Sequence, residues 1–220
     1  MKQIEEEIKA IKEYHDQMWD LVEHQVNKAF AALEKNDKDL AREVIAREKT
    51  VNVQELVVDH HCENFIALFN PVAVDLRFVI SLLKINNNLE RIGDFAESIA
   101  LFVLYHQTRP LDAELCKQLQ LKKMMDCAGQ MVGMAREALR QEDSKMAGRV
   151  LALDDTIDTI NHNAVEVLTD YITAHPEHTK EILYLYGVIR RIERVGDRTS
   201  NIAEDIVFYV DAKELRHRNK

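Results

Sequence analysis

The sequence predicts an all-α protein of six long helices, arranged as two pseudo-symmetric three-helix bundles. The 220-residue chain has only six Gly and three Pro, too few turn-forming residues for a sheet protein of this length. Apolar residues recur at three- and four-residue spacing, as at Ile11, Tyr14 and Met18, which is typical of amphipathic helices. The phrase ERIGDFAESIA (90–100) returns as ERVGDRTSNIA (193–203), and such close repetition indicates a duplicated unit.

Three helix-breaking segments bound the helices of the first half. The first helix ends at EKNDKD (34–39), where Asp37 or Asp39 is available as the N-cap of the second. The second helix ends at NPVAVD (70–75), because Pro71 cannot continue a helix. The third ends at QTRPLD (107–112), whose Thr-x-Pro pattern suits a stop followed by a new start.

Two further breaks bound the helices of the second half. The fourth helix is expected to run without interruption from QTRPLD to QEDS (141–144), and the fifth from there to HPEH (175–178). The sixth continues towards the end of the chain. Five breaks therefore give six helices of about 30 residues each, a length that is common in helical bundles.

The duplication extends well beyond the acidic phrases. Residues 31–52 align without gaps on residues 137–158, at an offset of 106, whereas the acidic phrases are offset by 103. The second unit therefore loses three residues between its second and third helices. We expect residues 1–108 to form the first three-helix repeat and residues 109–220 the second.

Composition excludes several classes of protein. A formal net charge of -9 argues against a nucleic-acid binder, whose phosphate contacts need a basic surface. No segment approaches the roughly 20 apolar residues of a membrane span, and the first residues lack the apolar core of a secretion signal. Three cysteines without metal-ligand spacing fit free thiols in a reducing compartment. We therefore expect a cytoplasmic protein without direct membrane insertion.

Paired acidic residues mark both units. Glu90 and Asp94 stand four residues apart, as do Glu193 and Asp197, so each pair lies on one helical face. Like charges at this spacing cost a few tenths of a kcal/mol in an isolated helix. Water, a basic neighbour or a cation should offset that repulsion.

The preceding helix of each unit carries a second pair at the same spacing: Glu48 with Asn52, and Asp154 with Asp158. In an antiparallel hairpin, residues equidistant from the turn face each other. Positions 52 and 90 share the midpoint 71 with positions 48 and 94, and that residue is Pro71 itself. The corresponding midpoints of the second unit fall between residues 175 and 176. Each hairpin should thus bring four oxygen-bearing side chains to one level.

Converging carboxylates can be exposed, paired with bases, share protons, or bind metal. Oxygen donors suit hard cations, and carboxylates on long helices also hold iron. Gly93 and Gly196, which precede the aspartates, suggest close approach by a neighbouring helix or a ligand. The alternative is that Arg91, Arg194 and Arg198 neutralise a solvated acidic face. The duplication favours a bound metal ion over a solvated acidic face. The metal could be iron, zinc, magnesium or manganese, and the sequence does not distinguish them.

Nothing in the sequence names a reaction. The Glu-x-x-His pattern of di-iron bundles occurs once, at 214–217, where a pair would be needed. Gly-rich phosphate loops, Ser-His-Asp arrangements and paired CxxC motifs are absent from the sequence. We therefore expect a non-enzymatic protein. The alternative is a carboxylate-bridged metalloenzyme, either an oxidase or a hydrolase, that uses the same acidic residues.

Three segments resemble the PhoU family of bacterial phosphate-signalling proteins: PVAVDLR (71–77), LKINNNLERIGD (83–94) and RRIERVGDRTSNIAEDI (190–206). Each contains or abuts the family's E(D)xxxD signature, and the resemblance spans nearly the whole chain. It implies two three-helix bundles related by a pseudo-two-fold axis, often in a homodimer, with metal ions on the acidic motifs. It also implies an adaptor between a phosphate ABC transporter and a PhoR-type sensor histidine kinase. Such an adaptor restrains phosphate uptake and the phosphate-starvation response when phosphate is plentiful.

The signature matches best at Glu90, Asp94, Glu193 and Asp197. Asn52 stands where a carboxylate is usual in the family, and Ser98 aligns with Asn201, so the first site is expected to be less negative than the second. The complete set of expected metal ligands is Glu48, Asn52, Glu90, Asp94, Asp154, Asp158, Glu193, Asp197 and Asn201.

Overall fold

The computed structural model describes residues 2–213, which form seven α-helices and one short 3-10 helix without any β-strand. The all-α prediction is confirmed. Within these residues, no helix combines the length and the apolar character that crossing a membrane requires. The α-helices are α1 (Lys2–Lys35), α2 (Lys38–Phe69), α3 (Val74–Tyr105), α4 (Ala113–Gln118), α5 (Leu121–Gln141), α6 (Ser144–Ala174) and α7 (Thr179–Asp211), with the 3-10 helix at Pro176–His178.

All five predicted breaks separate helices in the structure. At the first break, the carboxylate of Asp37 accepts hydrogen bonds from the backbone N–H groups of Asp39 and Leu40, at 2.9 and 3.0 Å, and so caps α2. Asp143, which aligns with Asp37, caps α6 with the same two distances. The duplicated sequence therefore produces a duplicated cap, which satisfies backbone donors that the first helical turn leaves free.

The expectation of one uninterrupted fourth helix is wrong. The chain leaves α4 at Leu119 and enters α5 at Leu121, with Gln120 between them in the left-handed conformation at φ 51°. Leu119 and Leu121 are both 3% exposed. On a continuous α-helix these two side chains would point about 200° apart, and the left-handed residue between them changes the direction of the chain. Neither Gly nor Pro stands at this break, so no local signal predicts it.

The helices pack as two units of three with one long contact between them. α2 and α3 form the first hairpin, and α1 packs against both; α6 and α7 form the second, and α5 packs against both. α3 then packs along α7, where Lys84 approaches the buried Asp205 at 3.5 Å. The expected boundary at residue 108 lies in the connection between α3 and α4, and its exact position remains a prediction.

A polar network joins α1 to α5. The guanidinium of Arg136, which is largely buried, donates to Asp16 at 3.0 Å, Asp20 at 2.5 Å and Glu23 at 2.9 Å. Arg140, one turn further along α5, also donates to Asp16. Burial alone would raise the pKa of Asp16, but the hydrogen bonds from the two arginines lower it overall. The first helix of each unit is therefore held to its counterpart by charge-assisted hydrogen bonds.

Candidate metal centre

Three aspartates converge in the second unit. One carboxylate oxygen from each of Asp154, Asp158 and Asp197 lies within 4.8 Å of the others. Asp154 and Asp158 are one turn apart on α6, and Asp197 faces them from α7. We call these three residues, together with Glu193 on α7, the second acidic cluster. No other group of three His, Cys, Asp or Glu side chains between residues 2 and 213 meets this spacing.

Asp154 lies deepest in the cluster. Its Oδ2 accepts a hydrogen bond from the Ser200 hydroxyl at 2.8 Å, while its Oδ1 is buried and accepts none from the described protein. A Cβ placed on Gly196 would lie 2.7 Å from that Oδ1. The glycine therefore lets the Asp154 carboxylate approach the backbone of α7, which accounts for a residue that otherwise weakens a helix.

Burial and mutual repulsion disfavour the charged forms of the carboxyl groups in the second acidic cluster. Burial, followed by the nearby Asp158, Asp197 and Glu193, raises the pKa of Asp154 to about 6. Burial and Asp197 also raise the pKa of Glu193, although Arg190 opposes them at 3.7 Å. The pKa of Asp197 is raised by burial and by Asp158. A proton or a bound cation would relieve this repulsion.

Arginine neutralisation differs between the two units. In the first, Arg91 lies 2.9 Å from Asp94 and 3.4 Å from Glu90, as the alternative interpretation predicts. In the second, Arg198 donates to Asn88 of α3 at 3.4 Å, and Arg194 lies over the Phe95 ring. Neither Arg194 nor Arg198 forms an ion pair within 4.0 Å of the second acidic cluster in the described structure.

Glu48 is the central acid of the first unit. It is 6% exposed, and its Oε2 accepts a hydrogen bond from Gln25 of α1 at 2.5 Å, while its Oε1 is buried without a hydrogen bond. Burial raises the pKa of Glu48 to about 7, with further contributions from Glu97, Asp94 and Glu90. We call Glu48, Glu90, Asp94 and Glu97 the first acidic cluster. Its carboxylates do not converge as tightly as the three aspartates of the second unit.

The two asparagines among the expected ligands are not part of the three converging carboxylates. Asn52 is exposed on α2. Asn201 is half-buried on α7, one turn after Asp197. Their roles as ligands remain predictions. The single Glu-x-x-His pattern at 214–217 lies outside the described residues.

Three residues that contribute to the clusters were not predicted from the sequence. Glu97 lies seven residues after Glu90, so helical spacing alone could have placed it on the acidic face. Ser200 aligns with Glu97 at the offset of 103, but serine is not acidic and so did not stand out in a pattern of paired acids. Gln25 lies on α1, outside the α2–α3 hairpin from which the facing residues were predicted. The corresponding position of the second unit holds Met131, which cannot donate a hydrogen bond in the same way.

Comparison with known proteins agrees with this duplicated architecture. The family model described as the PhoU domain matches the chain twice, over residues 16–103 and 121–206. The chain belongs to the PhoU family. The two matches confirm the internal repeat, because one lies within each three-helix unit of this PhoU-family protein.

Individual PhoU proteins resemble it along almost their whole length. The phosphate-specific transport system accessory protein PhoU of Edwardsiella tarda is 33% identical over 218 residues, covering 98% of this chain and 87% of its own. The PhoU homolog of Aquifex aeolicus is 31% identical, with 97% and 95% covered. The crystal structure of PhoU from Pseudomonas aeruginosa superposes with a TM-score of 0.86 at 29% identity, over 95% of this chain and 99% of that one. The first two relatives are named as accessory proteins of the phosphate-specific transport system, in agreement with the expectation of a non-enzymatic protein.

The raised pKa of Glu48 predicts how the metal-free PhoU-family protein responds to pH. Because the folded pKa of about 7 lies above the ordinary value of 4.5, the folded state binds more protons than the unfolded state between these values. Its free energy of unfolding should therefore fall as the pH rises from 4.5 to 7. Glu48→Gln, which can still accept from Gln25, should be more stable than the parent protein by about 2–3 kcal/mol at pH 8.

Urea unfolding in the presence of a chelator, at pH 4.5 and pH 8, measures this difference. Glu166→Gln, which changes an exposed carboxyl on α6, is the control and should leave the pH dependence unchanged. An identical loss of stability with rising pH in Glu48→Gln and in the parent protein would contradict the prediction.

Proposed function

We propose that this PhoU-family protein is a cytoplasmic, non-enzymatic negative regulator of phosphate uptake and phosphate-starvation signalling. In this role it links a phosphate ABC transporter to a PhoR-type sensor histidine kinase. The observation that carries the proposal is the near full-length match to proteins named as accessory proteins of the phosphate-specific transport system. The absence of any recognisable nucleophile motif from the sequence supports a binding role rather than catalysis.

The proposal includes a metal ion at the second acidic cluster. Asp154, Asp158 and Asp197 would supply its oxygen ligands, with Glu193 close by. The residues fit such an ion because three oxygens converge and Asp154 Oδ1 is buried without a hydrogen bond. The ion would balance the charge between α6 and α7 and fix the hairpin whose surface meets the partners.

The first acidic cluster is proposed as the weaker site. Arg91 already pairs with Asp94 and Glu90, and Gln25 occupies one oxygen of Glu48. A cation would have to compete with these contacts. We therefore expect the second acidic cluster to fill first, with the first occupied at higher metal concentration.

The partner surfaces are proposed to include the hairpin ends. Apolar side chains are exposed near the α2–α3 turn, at Leu68 (76%) and Val72 (72%), and near the α6–α7 turn, at Leu183 (62%). Exposed apolar groups of this kind are common at protein–protein contacts. We propose that these ends contact the transporter, the kinase, or a second copy in a homodimer.

Recovery of partners from cells tests the regulatory role. The affinity-tagged chain, expressed in its native cells, is cross-linked and purified at high and at low phosphate, and the captured proteins are identified by mass spectrometry. Subunits of a phosphate transporter and a sensor histidine kinase should be enriched at high phosphate. The Leu183→Glu variant should lose part of this enrichment, whereas Val53→Glu, which alters an exposed valine in the middle of the first hairpin, serves as the control. Failure to recover either partner, together with unchanged phosphate uptake after deletion of the gene, would refute the proposal.

A further inference from the structure

An open apolar groove runs along the α6–α7 hairpin near its turn. The apolar side chains that line it are Val165, Leu168 and Ile172 of α6 and Ile182, Leu183 and Tyr186 of α7. Leu168 and Ile182 are each 4% exposed and form its floor, whereas Val165 is 51% and Leu183 62% exposed. The groove has a volume of about 250 Å³, below the roughly 300–1,000 Å³ of typical small-molecule sites. It therefore suits the side chains of a protein partner better than a separate small ligand.

The groove lies on the same face of the hairpin as the second acidic cluster. Seven residues advance an α-helix by about 700°, close to two full turns, so residues at this spacing share a face. On α6 this spacing connects Asp158 to Val165, and Val165 to Ile172. On α7 two such steps connect Asp197 to Leu183. A partner in the groove would therefore lie beside the carboxylates.

The apolar character of the groove is particular to the second unit. At the offset of 106, Val165 corresponds to Asp59 and Thr169 to Glu63 of α2. Asp59 accepts a hydrogen bond from Asn86 of α3 at 2.8 Å, so the first unit uses this position for a polar contact within its own hairpin. The second unit instead leaves a valine half exposed there. Exposed apolar groups gathered in a groove are typical of surfaces that bind a partner.

The exposed flank of α6 beside the groove is acidic. Between residue 151 and its end, α6 carries five acids, one His and no Lys or Arg. Glu166 and Asp170 are exposed, and neither forms an ion pair within the described part of the chain. On α7, Arg190 lies 3.7 Å from Glu193, and Lys180 is exposed near the turn. The acids outnumber these bases, so the surroundings of the groove favour a basic partner.

We propose that this groove binds a basic amphipathic helix of a partner protein. Apolar side chains on one face of that helix would pack between Val165 and Leu183, and its flanking lysines or arginines would pair with Glu166 and Asp170. A second copy of this chain fits less well, because a two-fold dimer through the groove would bring two acidic flanks together. The inference rests on the proposed function, in which the helix belongs to the transporter or to the sensor kinase.

A synthetic peptide tests the groove itself. The peptide has about 18 residues, enough to form a helix, with leucines along one face and lysines on the other positions. It carries a fluorescent label, and its anisotropy is followed as the full chain is added. Val165→Asp, which introduces the residue type of Asp59, should weaken binding about ten-fold or more, although it makes the protein more negative. Val53→Asp, the same change at an exposed valine of α2, should bind as the parent protein does.

Glu166→Lys with Asp170→Lys separates the charged contacts from the apolar ones. This double variant should bind the lysine peptide about ten-fold more weakly than the parent, because two attractive contacts become repulsive. A matched peptide with glutamates in place of the lysines should bind the double variant more tightly than it binds the parent. Equal affinity of the lysine peptide for the parent and for Val165→Asp, or for the parent and the double variant, would overturn the proposal.

Capture from cells distinguishes this inference from the proposed function. Val165→Asp should recover less transporter or kinase than Val53→Asp at high phosphate. Equal recovery by the two variants would exclude the groove as the partner site, while the regulatory role would stand. If the parent recovers neither partner, the regulatory role fails, and the peptide titrations alone decide whether the groove binds a basic helix. Dissociation of a parent dimer by Val165→Asp in sedimentation would show that a second copy occupies the groove, and would also overturn the proposal.

Discussion

The double variant Asp154→Asn with Asp197→Asn is expected to lose most of its bound metal while it retains the fold. Both residues contribute to the three converging carboxylates, and neutral amides are much weaker ligands for a cation. Loss of outer-shell partners alone typically reduces metal affinity 10–100-fold, so removal of two ligands should exceed about 100-fold. Metal analysis of the purified protein and titration of the chelated protein measure the effect.

The fold should survive because the substitution removes repulsion. The pKa of Asp154 and that of Asp197 are both raised, which means that their charged forms are disfavoured in the metal-free protein. The amide introduced by Asp154→Asn keeps an oxygen that can accept the hydrogen bond from Ser200. The melting temperature of the chelated double variant should therefore equal or exceed that of the chelated parent.

A matched control separates ligand loss from charge loss. Asp155→Asn with Asp170→Asn removes two exposed acids from α6 outside the cluster and should bind metal as the parent does. In the first unit, Glu48→Gln with Asp94→Asn should cause a smaller loss than the change in the second unit. An unaltered metal stoichiometry and affinity in the Asp154, Asp197 double variant would exclude the second acidic cluster as the site.

Gly196→Ala is expected to destabilise the protein by about 1–3 kcal/mol, the usual cost of overpacking a well-packed interior. The new Cβ would lie 2.7 Å from Asp154 Oδ1 and 3.1 Å from a methyl carbon of Ile157, so both side chains would have to leave their present positions between α6 and α7. Alanine favours the helix by up to roughly 1 kcal/mol, but this gain does not offset the collision. The displaced Asp154 carboxylate should also weaken metal binding.

Gly148→Ala is the control for the intrinsic preference of the helix. Gly148 lies exposed on α6, and a Cβ there would have no neighbour within 4 Å. This variant should be more stable than the parent by roughly 0.5–1 kcal/mol. Thermal unfolding of the chelated proteins should therefore shift in opposite directions for the two substitutions. A rise in melting temperature for Gly196→Ala similar to that for Gly148→Ala would contradict the close helix contact.

The helical architecture was largely predictable because its signals are local. The Asp37 cap and the Pro71 break act within a few residues of chain, and both lie at helix boundaries in the structure. The break at Gln120 was not predictable in this way. The leucines on either side of Gln120, Leu119 and Leu121, are buried in the tertiary structure, and the local sequence does not predict the contacts that bury them.

The acidic residues were predictable as candidates, but their environments were not. Spacing along α6 and α7 and equal distance from the turn pointed to Asp154, Asp158 and Asp197, which the structure brings together. The spacing is the same in both units. It therefore does not predict that Arg91 pairs with acids of the first unit while Arg198 donates to Asn88 on α3.

Most helices, their duplication, the family and the residues that share each acidic face are predictable from the sequence, because helical periodicity and capping operate over one or two turns. Which of those residues meet depends on the tertiary structure. Contact across α6 and α7 depends on packing between segments that are about forty residues apart, and desolvation there raises the pKa of Asp154.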